Sequence, residues 1–271
     1  MRGGGAPENN APARVLADGS NNKIILRTAF TLAEVLITLG IIGIIAAMTL
    51  PTVITTIKVH HLKTAFKKSY SVLSQLVLEI KKEYGDLDPL VIEEWLDFAD
   101  VAAKTPKMQE IMRSKLNCAQ LPKEGAYLFP SHGNANYKTY SNTTDEKAYV
   151  WFRSPEAVVC ITTDGMTYMV FCWGGASKGG NYTISVDVNG YNKGPNRWGY
   201  DLHTFAVTPE NSRLVTSRVG GLREPSSINT YPCSKNTVTF QSYNGAGCSY
   251  YALMDENPDD KSKGYWKSLY K

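Results

Sequence analysis

The sequence predicts an α+β protein: one very long N-terminal helix, a short helical insertion and an antiparallel β-sheet head. Three observations carry this. From Phe30 to Ile57 the one charged side chain is Glu34. From Ile54 to Tyr84 apolar residues recur at steps of three, four or seven. From about residue 147 the pattern changes to short runs of β-branched and aromatic residues, the composition of strands.

Residues 1–22 are rich in Gly, Ala, Asn and Pro and are expected to be disordered. Lys23 and Arg27 precede the apolar run, and no basic residue follows until Lys58. About 20 apolar residues span a bilayer as a helix, and basic residues before such a span keep the N-terminus cytoplasmic. The span is therefore expected to sit in the inner membrane with the rest of the chain exported. A carboxylate inside it costs roughly 2.5 kcal/mol or more near the bilayer centre, so Glu34 calls for a partner or a process. Gly40 and Gly43 permit close approach of another helix, although Gly is also tolerated in membrane helices for its own sake.

Past Pro51, where a kink is expected, Ile54, Ile57, Leu62, Ala65, Phe66, Leu73, Leu76, Val77, Ile80 and Tyr84 form one apolar stripe. Lys58, Lys63, Lys67, Lys68, Glu79, Lys81 and Lys82 occupy the other faces, which makes this half amphipathic. Thr31 to Tyr84 would measure about 80 Å at 1.5 Å per residue. Gly85 and Asp86 stop the helix. The expected organisation is a leader over 1–29, a transmembrane half over 30–51, an amphipathic half over 52–84 and a head over 85–271.

Residues 89–117 read as one or two short helices, with Leu90, Trp95, Leu96 and Phe98 on an apolar face. Strands are expected at 148–152, 157–162, 167–172, 182–188, 202–207 and 237–240. Asp164-Gly165 between two of them is a tight hairpin signal.

Composition bounds the function. The formal net charge is +4, and residues 1–29 hold four basic against two acidic side chains, which leaves about +2 for the remainder. That is too close to neutral to predict nucleic-acid binding. The 16 Tyr and 5 Trp suit wet surfaces and cores alike. Five cysteines, Cys118, Cys160, Cys172, Cys233 and Cys248, fall in the head without a C-x-x-C pair, so zinc is not expected. In an exported head one or two disulfides form. Spacing leaves their connectivity open; Cys233–Cys248, closing a Gly-rich loop, is the preferred pair, and buried free thiols are the alternative.

No enzyme site stands out, and none is predicted. His60, His61, His132 and His203 have no Cys or carboxylate at metal spacing, and adjacent histidines cannot share a helix face. Nucleophile-elbow, phosphate-loop and zinc-protease motifs are absent from the sequence. The Asn-x-Thr sites at Asn142 and Asn181 matter only in a glycosylating host.

The stretch Arg27-Thr-Ala-Phe-Thr-Leu-Ala-Glu34, followed by the apolar run to Pro51, resembles the N-terminal processing and anchoring motif of the type IV pilin and type II secretion pseudopilin family. In that family a prepilin peptidase cuts before a Phe and methylates the new amine, a Glu stands at the fifth mature position and a Pro near the twenty-second. A cut between Ala29 and Phe30 places Glu34 fifth and Pro51 twenty-second. Ala29 replaces the usual Gly, and Ala33 a frequent Ile; Ala is small enough for cleavage to survive. A secretory signal peptide is the competing reading, but its apolar core is shorter and Glu34 would interrupt it.

The resemblance implies a structural subunit of a type II secretion pseudopilus or a type IV pilus-like filament. Its expected partners are the peptidase, other subunits through the N-terminal helix, the inner-membrane assembly platform and lipid. It also implies that Glu34 pairs with the Phe30 amine of a neighbouring subunit and so fixes an axial register; snorkelling of Glu34 to the interface is the simpler alternative. From another class, the chain could be a membrane-anchored surface ligand-binding protein or enzyme using such a signal.

In the head, Asp187-Val-Asn-Gly-Tyr-Asn-Lys-Gly-Pro-Asn-Arg-Trp-Gly-Tyr-Asp201 resembles a segment of many pseudopilin-like heads. Asp, Asn and Gly at these positions supply turns. Oxygens of Asp187, Asn189 and Asp201 could also hold Ca²⁺, although the spacing departs from the EF-hand loop.

Overall fold

The computed structural model describes residues 30–85, 114–116, 118–120, 137–141, 148, 158–173, 181–208, 213–216, 232–236 and 243–270. The chain divides into two units, 1–50 and 51–271. Helix α1 is Leu32–Tyr84, 53 residues with Pro51 inside it. The sheet has six antiparallel strands in chain order: β1 (Cys118–Gln120), β2 (Val158–Thr162), β3 (Thr167–Trp173), β4 (Asn181–Asp187), β5 (Leu202–Thr208) and β6 (Arg213–Thr216). A second helix, α2 (Cys248–Met254), and a 3₁₀ turn, Trp266–Ser268, complete the described elements.

In the first unit, every residue from Phe30 to Leu50 is exposed, including Leu36, Ile37, Ile41, Ile44 and Ile45. Water does not tolerate an apolar surface of this extent on an isolated helix. Among the described residues, α1 is a helix long and apolar enough, by length and composition, to cross a membrane. Thr38 and Thr49 return their hydroxyls to the carbonyls of Val35 and Ile45, so no free polar group faces outward from them.

In the second unit, Leu62, Phe66, Ser69, Leu73, Leu76, Val77 and Ile80 are buried. Their spacing is one helix stripe, as the amphipathic pattern predicts. It packs on one face of the sheet, and full burial of each large apolar side chain contributes about 1.5–3 kcal/mol. Phe66 is the centre of this contact: its ring lies 4.5 Å from His203, 5.8 Å from Phe205 and 5.6 Å from Trp266. α1 ends where the sequence places a stop, with Gly85 at φ 85° and its N–H donating to Lys81 O at 2.8 Å.

Strand alternation sorts the sheet into two faces. Ile184, Val186, Phe205 and Val207 join the α1 core. Thr167, Met169, Ser185, Asp187, Leu202, Thr204 and Ala206 point the other way and are also buried. The second face is thus covered too, and it is far more polar than the first. Two disulfides brace the head, Cys118–Cys160 between β1 and β2, and Cys233–Cys248 at the start of α2. Cys172 lies on β3.

The hairpin expected at Asp164-Gly165 joins β2 to β3. Thr162 N–H donates to Met166 O and Gly165 N–H to Thr162 O, with Gly165 at φ 88°. A three-residue turn with Gly in the left-handed position is the conformation this sequence favours. The strands expected at 148–152 and 237–240 fall largely or wholly outside the described residues. So does the helical insertion at 89–117, apart from a helical turn at Ser114–Leu116.

Candidate functional site

Two places collect the residues singled out above. The first is the start of α1. Thr31 N–H and Thr31 Oγ1 both donate to Glu34 Oε2 at 2.8 Å, and Glu34 N–H donates back to Thr31 Oγ1 at 3.2 Å. This is a reciprocal capping box: the side chain three residues into the helix satisfies the N-cap backbone, and the N-cap side chain satisfies the helix. Within one chain the Glu34 carboxylate is held by its own helix start, and it is exposed. The Thr-x-x-Glu spacing at 31–34 is the sequence signal of such a box. A β carbon at Gly40 or Gly43 would meet nothing within 4 Å, so both glycines leave bare helix surface. Ala29 lies outside the described residues.

The second place is the loop between β4 and β5. Asp187 closes β4. Its Oδ1 accepts the N–H of Asn189 at 3.2 Å and of Gly190 at 2.8 Å, and its Oδ2 accepts the Tyr137 hydroxyl at 2.5 Å. Asp201 precedes β5, and its two oxygens accept the N–H groups of Asn196 and Arg197, each at 2.7 Å. Asn189 Nδ2 donates to Gly194 O and Asn196 Nδ2 to Tyr191 O, so both amides tie the loop across itself. The Gly194–Pro195 peptide is cis. These bonds are the turn function that Asp, Asn and Gly favour at such positions.

The loop lies on the polar face of the sheet. Trp198, fully buried, donates from Nε1 to Thr204 Oγ1 at 3.1 Å, and Thr204 Oγ1 is 3.0 Å from Ser185 Oγ. Residues 137–141 run alongside: Lys138 N–H donates to Asn196 O and Trp198 N–H to Lys138 O. The Arg197 guanidinium bonds Ser141 O and stands 5.6 Å from the centre of the Tyr200 ring.

Electrostatics set this loop apart. Burial pushes both the Asp187 and Asp201 carboxyls up from the ordinary range, and the charge of Asp187 pushes Asp201 further; the hydrogen bonds they accept only partly offset this. The Tyr137 hydroxyl is pushed well up by burial and by the neighbouring Asp187 charge.

Tyr137, Thr139 and Thr167 join this place without having been singled out in the sequence; they come from segments far apart along the chain, so no local spacing could have announced them, whereas Asn196 lies within the 187–201 stretch itself. Of the histidines, His60 and His61 are exposed on α1, His203 is buried in the core, and His132 lies outside the described residues. Asn181 opens β4, and Asn142 is not described. Among the described residues, no group of three or more His, Cys, Asp or Glu side chains is placed to hold a metal ion. The oxygens around Asp187 and Asp201 are nevertheless the hard donors calcium takes.

No family model, no curated protein and no solved structure matches this chain.

Proposed function

We propose that this chain is a structural subunit, a pseudopilin or minor pilin, that assembles through α1 into a type II secretion pseudopilus or type IV pilus-like filament. One observation carries the reading: the exposed apolar stretch from Phe30 to Leu50 holds a single acid, Glu34, and that acid stands at the very start of the helix. Capping alone does not require the charge, since Gln serves a capping box as well as Glu, and removing the charge would favour insertion.

In this reading a prepilin peptidase cuts between Ala29 and Phe30, and the head is exported while the apolar stretch at 30–51 stays in the inner membrane. The capping box then becomes a resting state. Thr31 satisfies Glu34 until the amine of a neighbouring subunit's Phe30 takes over. A carboxylate in lipid gains most from a buried cation, so the exchange rewards one axial offset between packed helices. Gly40 and Gly43 offer the bare surface that close helix packing uses.

Mass spectrometry of the protein recovered from cells tests the processing: the mature chain is expected to begin at a methylated Phe30. A product that starts upstream of Phe30, or that is clipped beyond the apolar stretch, overturns the reading. Glu34→Ala is expected to be processed yet excluded from filaments, whereas Ala29→Gly is expected to be processed normally. An anchored ligand-binding protein or enzyme would keep its function in Glu34→Ala.

A further inference from the structure

No acidic residue occurs in the sequence between Glu34 and Glu79. The same stretch carries Lys58, His60, His61, Lys63, Lys67 and Lys68, all close behind the point where the apolar run ends at Ile57. α1 is helical throughout. Val53, Ile54 and Ile57 are exposed, and so are Lys58, His60, His61, Lys67 and Lys68 in the turns that follow. An exposed apolar surface thus gives way, within one residue, to an exposed cationic one.

The head engages some of these cations and leaves others. Lys63 reaches Asp255 at 2.6 Å and Lys68 reaches Asp164 at 2.5 Å. Lys67 lies within the field of Asp255. Lys58, His60 and His61 have no ion pair among the described residues. With 3.6 residues per turn, these three point to different sides of the helix, so they form a collar rather than a stripe.

The turn before the collar suits the edge of a bilayer. Thr55 and Thr56 return their hydroxyls to Pro51 O and Thr52 O at 2.9 Å, so the polar atoms there are already satisfied. The apolar run from Phe30 to Ile57 also exceeds the about 20 residues that a hydrocarbon core needs. The surplus carries its far end into the headgroup layer. Long cationic side chains at such a level keep their stems in apolar surroundings and their charges among the phosphates.

We propose that Lys58, His60 and His61 form a collar that binds anionic phospholipid headgroups where the helix leaves the bilayer. The occupant is a monoanionic lipid of the phosphatidylglycerol type. Charge complementarity selects it over phosphatidylcholine, whose quaternary ammonium the collar repels. Each cation held at an anionic surface favours it roughly fivefold. The inference rests on the membrane placement of the apolar stretch in the reading above, and not on processing or filament assembly.

The test is electron paramagnetic resonance of the full-length chain in phosphatidylcholine vesicles doped with spin-labelled phosphatidylglycerol or spin-labelled phosphatidylcholine. The readout is the fraction of each lipid slowed at the protein boundary, taken at pH 6, where imidazoles carry charge. Wild type is expected to prefer phosphatidylglycerol by about threefold or more. In the variant Lys58→Gln, His60→Gln, His61→Gln, and in wild type at about 1 M salt, the preference is expected to fall by at least half. Lys23 and Arg27 are common to both proteins, so the difference between them reads the collar. All three substituted residues are exposed, and the variant is expected to melt with wild type. Lys58→Gln alone is expected to lose part of the preference, and it decides if the triple variant folds poorly. A slowed fraction with no preference for phosphatidylglycerol overturns the collar and leaves the span standing; that is the result expected if the collar faces an acidic surface of a second copy instead. An unchanged preference in the variants overturns it equally. No slowed fraction with either lipid overturns the membrane placement and the collar together.

Discussion

A β carbon on Gly190 would lie 2.3 Å from the carbonyl oxygen of Gly165. The turn that follows β4 is therefore seated on the turn that joins β2 to β3, backbone against backbone, with Gly190 at φ 88°. Gly190→Ala is expected to destabilise the head by roughly 2 kcal/mol or more, from steric overlap and from the left-handed backbone together. Gly194→Ala is the control, since a β carbon there meets nothing within 4 Å. Urea unfolding followed by tryptophan fluorescence would check both; equal midpoints would contradict the contact.

Proton linkage gives a second prediction. Asp187 and Asp201 have raised pKa values in the fold, chiefly from burial. Their contribution to stability is full below the ordinary carboxylate range near pH 4 and is lost as pH rises toward neutrality. His203 acts in the opposite sense. Burial lowers its pKa to about 3, so its contribution is full above its ordinary pKa and is lost as pH falls. Between pH 7 and pH 5, His203→Phe is expected to gain stability on acidification relative to wild type, and Asp201→Asn to lose it. Thermal melts at both pH values would decide; identical slopes for all three proteins would refute the assignment.

The disulfides give a third. Cys233 and Cys248 are 15 residues apart and Cys118 and Cys160 are 42 apart. In the loop-closure model, opening the shorter loop costs about 3 kcal/mol and the longer one somewhat more. Paired alanine substitutions, one pair at a time, are expected to show that order in denaturant midpoints. Reversed order would mean that native packing rather than the unfolded chain sets their value.

Lys63 on α1 reaches Asp255, just past α2, at 2.6 Å, and both side chains are about a third exposed or more. Such a pair contributes about 1 kcal/mol or less. Lys63→Met is expected to lower stability only slightly, and the loss is expected to shrink in high salt. Phe66→Ala, which opens the centre of the α1–sheet contact, is expected to cost about 3–5 kcal/mol by comparison. A larger effect at Lys63 than at Phe66 would overturn this ranking.

Much of this architecture was legible in the residues. The apolar run, the stripe from Leu62 to Ile80 and the stop at Gly85 each depend on local spacing, and local spacing is what a helix reads. Four strands followed from β-branched runs, and the β2–β3 turn from Asp164-Gly165. The polar face of the sheet was not legible. Alternation along β3, β4 and β5 marks Thr167, Ser185 and Thr204 as one polar side without saying that a loop will cover it. Tyr137 and Trp198 reach that face from opposite sides of β2 to β4, and no periodicity encodes such a meeting. The capping box of Thr31 and Glu34 was present in four consecutive letters and overshadowed by the hydrophobic run behind it.

The strand order has one more consequence. Among the described strands, each of β2 to β6 pairs with the one before it, so each finds its template already made when its own residues arrive. A ribbon fed forward from its N-terminus can therefore zip up progressively, without waiting for distant partners. A clasp follows them in the chain: Tyr265 donates its hydroxyl to Gly199 O and Trp266 its indole N–H to Ala252 O, so this segment fastens what earlier ones assembled.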